Sequence, residues 1–270
     1  MKIIVKIISG LLITAILLIV GYFGYRLYKN GFDFKKTFGI GVSENLIEEK
    51  EIDILKEINI DFNTSNVEIK HSEDTKFKVM LYSDRLDTHT LVEEEGILKV
   101  SINEKKLKFM DRLFNHKISR ILIYVPKDYE GTININGDVG DINIDDYQFT
   151  ILSTKCNVGD IYVDGIKEAN IDLDVGSLKV KKVYSNFVLK VGTGDVRMKE
   201  ATVLKDSSIE VSVGNVKIEE TNDIKIETKV NVGKTDVAKN NSEALIKLDI
   251  KVDVGNITVL APKEEIKEND

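Results

Sequence analysis

The sequence of 270 residues is long enough for one or two domains, and its 42% apolar content can form a sizeable core. The formal net charge is −7, whereas proteins that bind nucleic acid need clustered lysine and arginine, so nucleic acid is not an expected partner. Residues 1–42 carry a net charge of +5, and residues 43–270 therefore carry −12. A single cysteine, Cys156, excludes an intramolecular disulfide and a multi-cysteine metal site.

The first element of the chain is an uncharged run over residues 7–25, which reads IISGLLITAILLIVGYFGY. A run of this length crosses the hydrocarbon core of a bilayer as a helix. Lys2 and Lys6 before it also suit a cleaved signal peptide, but no small-x-small cleavage site follows and the run ends in bulky aromatic residues. After a short basic segment, 1–6, we therefore expect an uncleaved transmembrane helix that anchors the chain in the cell membrane with a single pass.

Residues 26–42 follow the apolar run and are expected to form a juxtamembrane linker. Their lysines and phenylalanines suit contact with lipid headgroups, and a solvated stalk is equally consistent with them. Basic residues flank the apolar run on both sides, and their count slightly favours a cytoplasmic C-terminal domain. Long domains are exported largely regardless of charge, however, so we expect the C-terminal domain to be extracytoplasmic.

From residue 130 onward the chain repeats a unit of Val-Gly-x followed by alternating apolar residues. The seven copies are VGDINI (139–144), VGDIYV (158–163), VGSLKV (175–180), VGTGDVRM (191–198), VGNVKI (213–218), VGKTDV (232–237) and VGNITV (254–259). The glycines recur on average every ~19 residues, which is the length of one short coil per repeat. In the irregular fourth copy, either Gly192 or Gly194 occupies the glycine position.

Strict apolar alternation precedes each glycine and predicts a β-strand with one buried face. The predicted inward residues of three copies are Ile171, Leu173 and Val175; Phe187, Leu189 and Val191; and Ile209, Val211 and Val213. After the glycine the alternation resumes one residue out of phase, because glycine permits a corner with positive φ. Each rung would stack on the next one in the chain. The predicted fold class is thus all-β, a single-stranded right-handed β-solenoid or β-roll with rungs of about 19 residues.

Residues 43–130 are less regular, and their alternating runs predict a β-rich part that caps one end of the solenoid. The segment 58–69 resembles a degenerate first rung, and the charged segment 104–117 predicts a loop or a short helix. Further strands are expected at 76–82, 96–102 and 120–125. The predicted parts of the chain are the basic segment 1–6, the transmembrane helix 7–25, the linker 26–42, the cap 43–130, the repeats 131–261 and the charged tail 262–270.

Four features, in this order, are similar to one bacterial family. They are INIDFNTSNVEI (58–69), EGILKVSI (95–102), ILIYVPKDYEG (121–131) and the serial V-G-D-I repeats. Over about residues 43–260 the sequence resembles the DUF4097 family, known as "putative adhesins" with β-strand repeats. The resemblance implies a β-solenoid-like fold, membrane tethering and an adhesin-like role in the cell envelope, and it supplies no catalytic residues. Lys234 and Thr235 after Gly233, and the insertion in VGTGDV, depart from the repeat and argue against a uniform ladder of ligands.

The polar residues that follow the repeat glycines suit turns. Asp141, Asp160 and Asp195 could cap backbone amides or, if stacked, bind calcium. The equivalent positions of the other copies hold Ser177, Asn215, Lys234 and Asn256. This mixture favours capping, and we expect neither a metal ion nor another cofactor.

Candidate catalytic groups are few. Cys156 alternates with Thr154 and Val158 on a predicted strand, which indicates a small buried residue rather than a nucleophile. The three histidines, expected at the surface, are His71, His89 and His116. Two carboxylate pairs that would suit a polysaccharide-cleaving solenoid are Asp145/Asp146 and Asp172/Asp174. With 45 acidic residues such pairs arise by chance, so the sequence predicts no catalytic residues and no enzyme.

Two functions remain open at this point. An exported, membrane-anchored module could bind a cell-wall polymer or an envelope protein in an adhesin-like manner, or an inward-facing domain could act as a tethered scaffold or regulator in envelope-stress signalling. If rungs stack about 4.8 Å apart, the outward residues after the glycines form a row. The members of this row that suit anionic or sugar-bearing partners are Tyr162, Lys179, Arg197 and Lys217, our candidate partner-binding residues. An ordinary solvated face is the alternative interpretation of this row.

Overall fold

The computed structural model describes residues 41–83, 88–103, 117–238 and 240–260. These residues belong to two compact units, a small one with 41–43 and 117–118 and a large one with the rest. The regular secondary structure of these residues consists of β-strands, so the all-β prediction is confirmed. A membrane-spanning helix is not found in these ranges, and the predicted anchor 7–25 lies outside them. The predictions for the linker up to residue 40, for 104–116 and for the charged tail also fall on residues outside the described ranges.

The described residues form eighteen strands, numbered in chain order. They are β1 (Gly41–Val42), β2 (Leu46–Ile52), β3 (Glu57–His71), β4 (Phe77–Tyr82), β5 (Thr88–Glu94), β6 (Ile97–Asn103), β7 (Lys117–Val125), β8 (Thr132–Val139), β9 (Ile142–Val158), β10 (Ile161–Val175), β11 (Leu178–Thr193), β12 (Val196–Ala201), β13 (Ser207–Val213), β14 (Val216–Thr221), β15 (Lys225–Val232), β16 (Thr235–Val237), β17 (Lys247–Val254) and β18 (Ile257–Val259). In the small unit, β1 pairs in parallel with the first two residues of β7. All other pairs described below belong to the large unit.

The strands of the large unit form two ladders of mainly parallel pairs. Ladder 1 contains the strands that precede the glycine corners, together with β5, β6 and the first half of β3. Its order is β5, β6, first half of β3, β8, second halves of β9, β10 and β11, β13, β17 and β15. Ladder 2 contains the strands that follow the glycine corners, together with β2, β4, β7 and the second half of β3. Its order is β2, β4, β7, second half of β3, first halves of β9, β10 and β11, β12, β14, β18 and β16. Among these pairs, β5–β6, β2–β4 and β4–β7 are antiparallel and lie at one end of the ladders.

One strand of ladder 1 and the following strand of ladder 2 form a rung. In spatial order the rungs of the described chain are 97–103 with 119–125, then 57–71, 132–147, 151–166, 168–183, 186–201, 207–221, 247–259 and 225–237. From 132 to 221 the rungs follow chain order, as predicted, and bonded equivalents are 17 to 20 residues apart. At both ends the prediction of stacking in chain order is wrong.

The last rung of the chain inserts between the two rungs that precede it. β17 pairs with β13 on one side and with β15 on the other, so 225–237 becomes the outermost rung. The backbone amide of Asn256 donates to Asn215, which is 41 residues earlier in the chain. At the opposite end β6 and β7 form the outer rung, so the segment 58–69 belongs to the second rung and not to the first.

A column of seven glycines forms the corners between the ladders. With φ between +145° and +154°, they are, in spatial order, Gly140, Gly159, Gly176, Gly194, Gly214, Gly255 and Gly233. A Cβ atom on Gly159 would fall on the carbonyl oxygen of Gly140 in the neighbouring rung. Glycine is therefore required by the backbone conformation and by the close approach of the rungs. The irregular copy uses Gly194 for this corner, because Gly192 has no positive φ.

The inward residues of both ladders form one apolar core. In the rung 168–183, Ile171, Leu173, Leu178 and Val180 are at most 2% exposed. Full burial of such a side chain stabilises the fold by about 1.5–3 kcal/mol. The predicted inward residues that the structure confirms are Ile171, Leu173, Phe187, Leu189, Val191, Ile209 and Val211.

The valine directly before a corner glycine points away from the core. Val175 is 47% exposed and Val213 is 48% exposed, so the prediction that they point inward is wrong. The chain already turns at this valine, and the last inward side chain before the corner is three residues before the glycine, as at Leu173. Other valines exposed at this position are Val139, Val158, Val254 and Val232.

Candidate functional site

The four residues predicted to bind a partner lie side by side on the outer face of ladder 2. Each occupies the third position after its corner glycine, and all four are exposed. Tyr162 pairs in register with Lys179, Lys179 with Arg197, and Arg197 with Lys217. Because adjacent strands lie about 4.8 Å apart, these residues form a row about 14 Å long. We call the row of Tyr162, Lys179, Arg197 and Lys217 the ridge.

Carboxylates beside the ridge neutralise part of its positive charge. The Nζ atom of Lys217 lies 2.9 Å from Glu219, and a guanidinium nitrogen of Arg197 lies 3.8 Å from Asp195. Lys179 forms no ion pair with any residue that the structure describes. Exposed pairs of this kind contribute about 0–1 kcal/mol and exchange readily with water. The cations of the ridge are therefore available to an anionic partner, and Lys179 most directly.

Two tyrosines, Tyr162 of the ridge and Tyr184, donate hydrogen bonds to aspartates of ladder 2. The hydroxyl of Tyr162 donates to Asp164 over 3.0 Å, and Asp164 also lies 3.0 Å from the Nζ atom of Lys181. The hydroxyl of Tyr184 donates to Asp146, 38 residues earlier. Burial and this hydrogen bond raise the pKa of Tyr184 to about 12. These contacts were not predicted, and the available signal was that Asp164 and Lys181 both lie five residues after a corner glycine.

The residues directly after the corner glycines form a hydrogen-bonded column. The Oδ1 atom of Asp141 accepts the amide of Asp160 over 3.0 Å, and that of Asp160 accepts the amide of Ser177 over 2.8 Å. The further donor–acceptor pairs are Asn215 to Asp195, Asn256 to Asn215 and Lys234 to Asn256. These side chains thus cap the corner of the next rung, which is the role that the sequence favours. In the described part of the chain, no three His, Cys, Asp or Glu side chains are close enough together to hold a metal ion.

The cysteine and the histidines differ in their surroundings. Cys156 is 1% exposed in the core, and burial raises the pKa of its thiol, so the predicted role as a small buried residue fits. His89 is exposed, as expected. His71 is half-buried with its ring 4.8 Å from that of Tyr147, so the surface position expected for it is wrong. His116 lies outside the described residues.

The two carboxylate pairs also have different environments. Asp145 accepts the amide of His71 in the adjacent rung over 3.0 Å, and Asp146 accepts the hydroxyl of Tyr184 across the rung 151–166. Asp172 lies on the outer face of ladder 1, on the strand that leads to the corner at Gly176. Asp174, two residues before that corner, is exposed.

A polar groove of about 900 Å³ lies on the outer face of ladder 1. It extends across the rungs from 97–103 to 186–193, with Thr90 of β5 at one edge. Asparagines that line it are Asn59, Asn134, Asn136 and Asn170. The groove was not predicted, because the predicted binding residues all lie on the strands after each glycine. The available signal was the recurrence of asparagine at the outward positions of the strands before each glycine.

Two ladders of stacked parallel strands, joined at glycine corners, define a β-solenoid-like repeat protein. More specifically, the chain belongs to the Toastrack DUF4097 family, whose sequence model matches residues 55–270. A solved structure of a "putative adhesin" from Bacteroides fragilis shares the fold, with a TM-score of 0.51 at 20% identity, and the match covers 82% of this chain and 100% of that one.

Two further solved structures match more distantly. A "putative cell adhesion protein" from Clostridium sporogenes matches at 13% identity with a TM-score of 0.34, over 79% of this chain and 99% of that one. A "putative lipid binding protein" from Parabacteroides distasonis matches at 18% identity with a TM-score of 0.37, over 82% of this chain and 96% of that one. No curated protein matches the sequence.

Proposed function

We propose that this protein is a membrane-anchored, non-enzymatic binding module of the bacterial cell envelope, and that its ridge binds a cell-wall polymer or an envelope protein. The observation that carries the proposal is the register of the four ridge residues on adjacent strands. The row presents three cations and one aromatic ring on one exposed line. The family and the adhesin-named structure of the same fold agree with a binding role.

The charge distribution supports an anionic partner for the ridge. Residues 43–270 carry a net charge of −12, so most of this domain repels an anionic polymer. The row of Lys179, Arg197 and Lys217 is a local exception, and complementary charge steers a partner to such a place and fixes its orientation. Tyr162 at the end of the row adds a flat apolar ring beside a hydroxyl, which suits contact with a sugar face.

The predicted anchor 7–25 would hold this module at the cell membrane, with the domain outside. A C-terminal reporter that is active only outside the cytoplasm tests this topology in living cells, and a reporter active only inside would place the ridge away from the cell wall. Mass spectrometry of the mature chain should find Met1, whereas a mature N-terminus near residue 30 would remove the anchor.

Pull-down of isolated cell walls and envelope proteins tests the ridge. A Lys179→Glu/Arg197→Glu/Lys217→Glu variant should recover at least about fivefold less material than the wild-type chain, because it reverses three exposed charges. The matched control, Lys229→Glu/Lys234→Glu/Lys251→Glu, makes the same charge change on the two outermost rungs and should recover as much as wild type. Equal recovery with the wild-type chain and the ridge variant would exclude the ridge as the binding surface.

A further inference from the structure

We infer that the polar groove on ladder 1 is a second binding site, separate from the ridge, and that its ligand is an acidic polysaccharide chain. The groove follows the stacking direction across six rungs, and five steps of about 4.8 Å make it about 24 Å long. An open groove of this length and of about 900 Å³ suits a linear chain that lies across the strands.

Part of the groove floor is already organised by side-chain hydrogen bonds. The Nδ2 atom of Asn134 donates to Oδ1 of Asn59 over 2.9 Å and to Oε1 of Glu57 over 3.1 Å. Both amide hydrogens of Asn134 are thus engaged, which leaves its carbonyl oxygen to accept and the Nδ2 atom of Asn59 to donate. In the same way Asn136 donates to Asp61 over 3.2 Å. Donors and acceptors held in place in this way lose little side-chain entropy when a ligand binds.

Other polar groups of the groove have no partner within the described chain. Asn170 and Ser153, which pair in register on neighbouring rungs, make no side-chain hydrogen bond to a described residue. Amide and hydroxyl groups both donate and accept, as sugar hydroxyls do. Val188 is the apolar side chain that lines the outer face here, and most of the other outward side chains end in a polar group.

Lysines give the groove its preference for an acidic chain. Lys155 and Lys190 face outward two rungs apart, with Asp172 between them, and neither forms an ion pair with a described residue. With Lys99 and Asp61, the charged side chains of the groove sum to +1, whereas residues 43–270 as a whole carry −12. A carboxylated glycan would supply the missing partners of the lysines through charge-assisted hydrogen bonds.

The outer face of the two outermost rungs on the same ladder shows the contrast. There the Nζ atom of Lys225 lies 2.7 Å from Glu227, and that of Lys247 lies 3.3 Å from Glu227 and 2.9 Å from Asp249. These charges neutralise one another without a ligand. Lys229 and Lys251 on these rungs form no ion pair with a described residue either, so the groove differs from this face in the asparagine side chains that lie beside its lysines.

Isothermal titration calorimetry on the full chain in detergent micelles tests the inference. The probes are a galacturonic acid hexamer, the neutral glucose hexamer maltohexaose, and hexaglutamate, which carries the charge without the hydroxyls. The galacturonic acid hexamer should bind. Both other probes should bind at least about tenfold more weakly, because maltohexaose lacks the carboxylates and hexaglutamate lacks the hydroxyls. No binding of the galacturonic acid hexamer, or equal binding of either control probe, would overturn the inference.

Matched variants locate the site. Lys155→Gln/Lys190→Gln should weaken binding of the acidic hexamer at least about tenfold by removing two charge-assisted contacts. Lys229→Gln/Lys251→Gln removes two lysines at the same register position of ladder 1 but outside the groove. This variant should change the affinity less than about twofold. All four lysines are exposed, so unchanged melting temperatures are expected. Loss of affinity in the ridge variant, or an equal loss in both lysine pairs, would place the ligand elsewhere and refute the groove site.

Discussion

The middle rungs and the outermost rung, 225–237, are built on the same repeat but differ at its inward positions. Thr228 takes the ladder position of Ile171, and Thr235 takes that of Leu178. Both threonines are exposed, whereas both apolar residues are fully buried. The terminal repeat of a stack needs a polar outer face, because no further repeat covers it. Departures from the repeat therefore mark the end of the stack, which here is not the end of the chain.

The two ends of the stack also protect their open edges differently. At one end the antiparallel strands β2, β4 and β5 cover the outer parallel rung. At the other end a single side chain blocks part of the edge of β15. The amide of Ile226 donates to Asn240 over 2.8 Å, and the Nδ2 atom of Asn240 donates back to the carbonyl of Ile226 over 3.0 Å. Asn240 thus occupies the hydrogen bonds with which another strand would pair.

The largest expected effect comes from a charge placed in the middle of the stack. Leu178→Asp would bury an unpaired carboxylate between two neighbouring rungs and should cost several kcal/mol, on the order of 4 or more. Thr235→Asp at the matched position of the outermost rung should cost less than about 1 kcal/mol, because water reaches it. Thermal melts of both variants measure the difference, and similar losses would show that the outermost rung is covered.

A smaller loss is expected when the glycine column is altered. Gly159→Ala would place a methyl group on the carbonyl oxygen of Gly140 at a positive φ, and should cost about 3 kcal/mol. Gly96→Ala, in the β5–β6 hairpin, shares the positive φ but meets only the flexible side chain of Lys56. It should cost about 1 kcal/mol. If urea unfolding gave equal values for both, backbone conformation alone and not the close approach of rungs would explain the column.

Much of the middle of the molecule could be predicted from the sequence, because each repeat shows the apolar alternation of its strands and the glycine of its corner. The strands, the glycine corner and the buried Leu173 follow from alternation and positive φ. The exposed Val175 does not, since alternation gives the parity of a side chain and not the point at which the chain turns. The insertion of β17 between β13 and β15 was also not predicted. Thr228 and Lys234 were the available signal, because neither residue type suits a rung in the middle of the stack.

The two candidate binding surfaces also differ in how far the sequence predicts them. The ridge could be predicted because its members share one offset from the corner, and the structure places them in register. The groove could not, because it depends on β3 lying between β6 and β8, an order that brings Lys99, Asn59 and Asn134 onto adjacent strands. Nothing in a single repeat specifies that order.

A still smaller difference in stability is expected between removing a corner cap in the middle of the stack and removing the corner side chain of the outermost rung. Asn215→Ala removes an acceptor for the amide of Asn256 and should cost about 1 kcal/mol. Lys234→Ala should leave stability unchanged, because no rung among the described residues lies beyond Lys234 to offer an amide, and its own amide still bonds to Asn256. Urea midpoints compare the two variants. A loss of stability in Lys234→Ala as large as that in Asn215→Ala would contradict the capping role of this column.

The smallest expected effect is that of calcium, and it tests whether the corner aspartates do anything besides capping. Asp141 and Asp160 each accept the amide of the next rung with one carboxylate oxygen. Ser177 lies between them and Asp195 and interrupts the acidic column. A calcium ion needs six to eight oxygen ligands, which two or three spaced carboxylates do not supply. Millimolar calcium should therefore leave the melting temperature unchanged relative to magnesium at equal ionic strength. A bound ion at a hundred times its Kd would stabilise the fold by about 2.7 kcal/mol per site, so a calcium-specific rise in the melting temperature would show that these aspartates bind the ion as well as cap the chain.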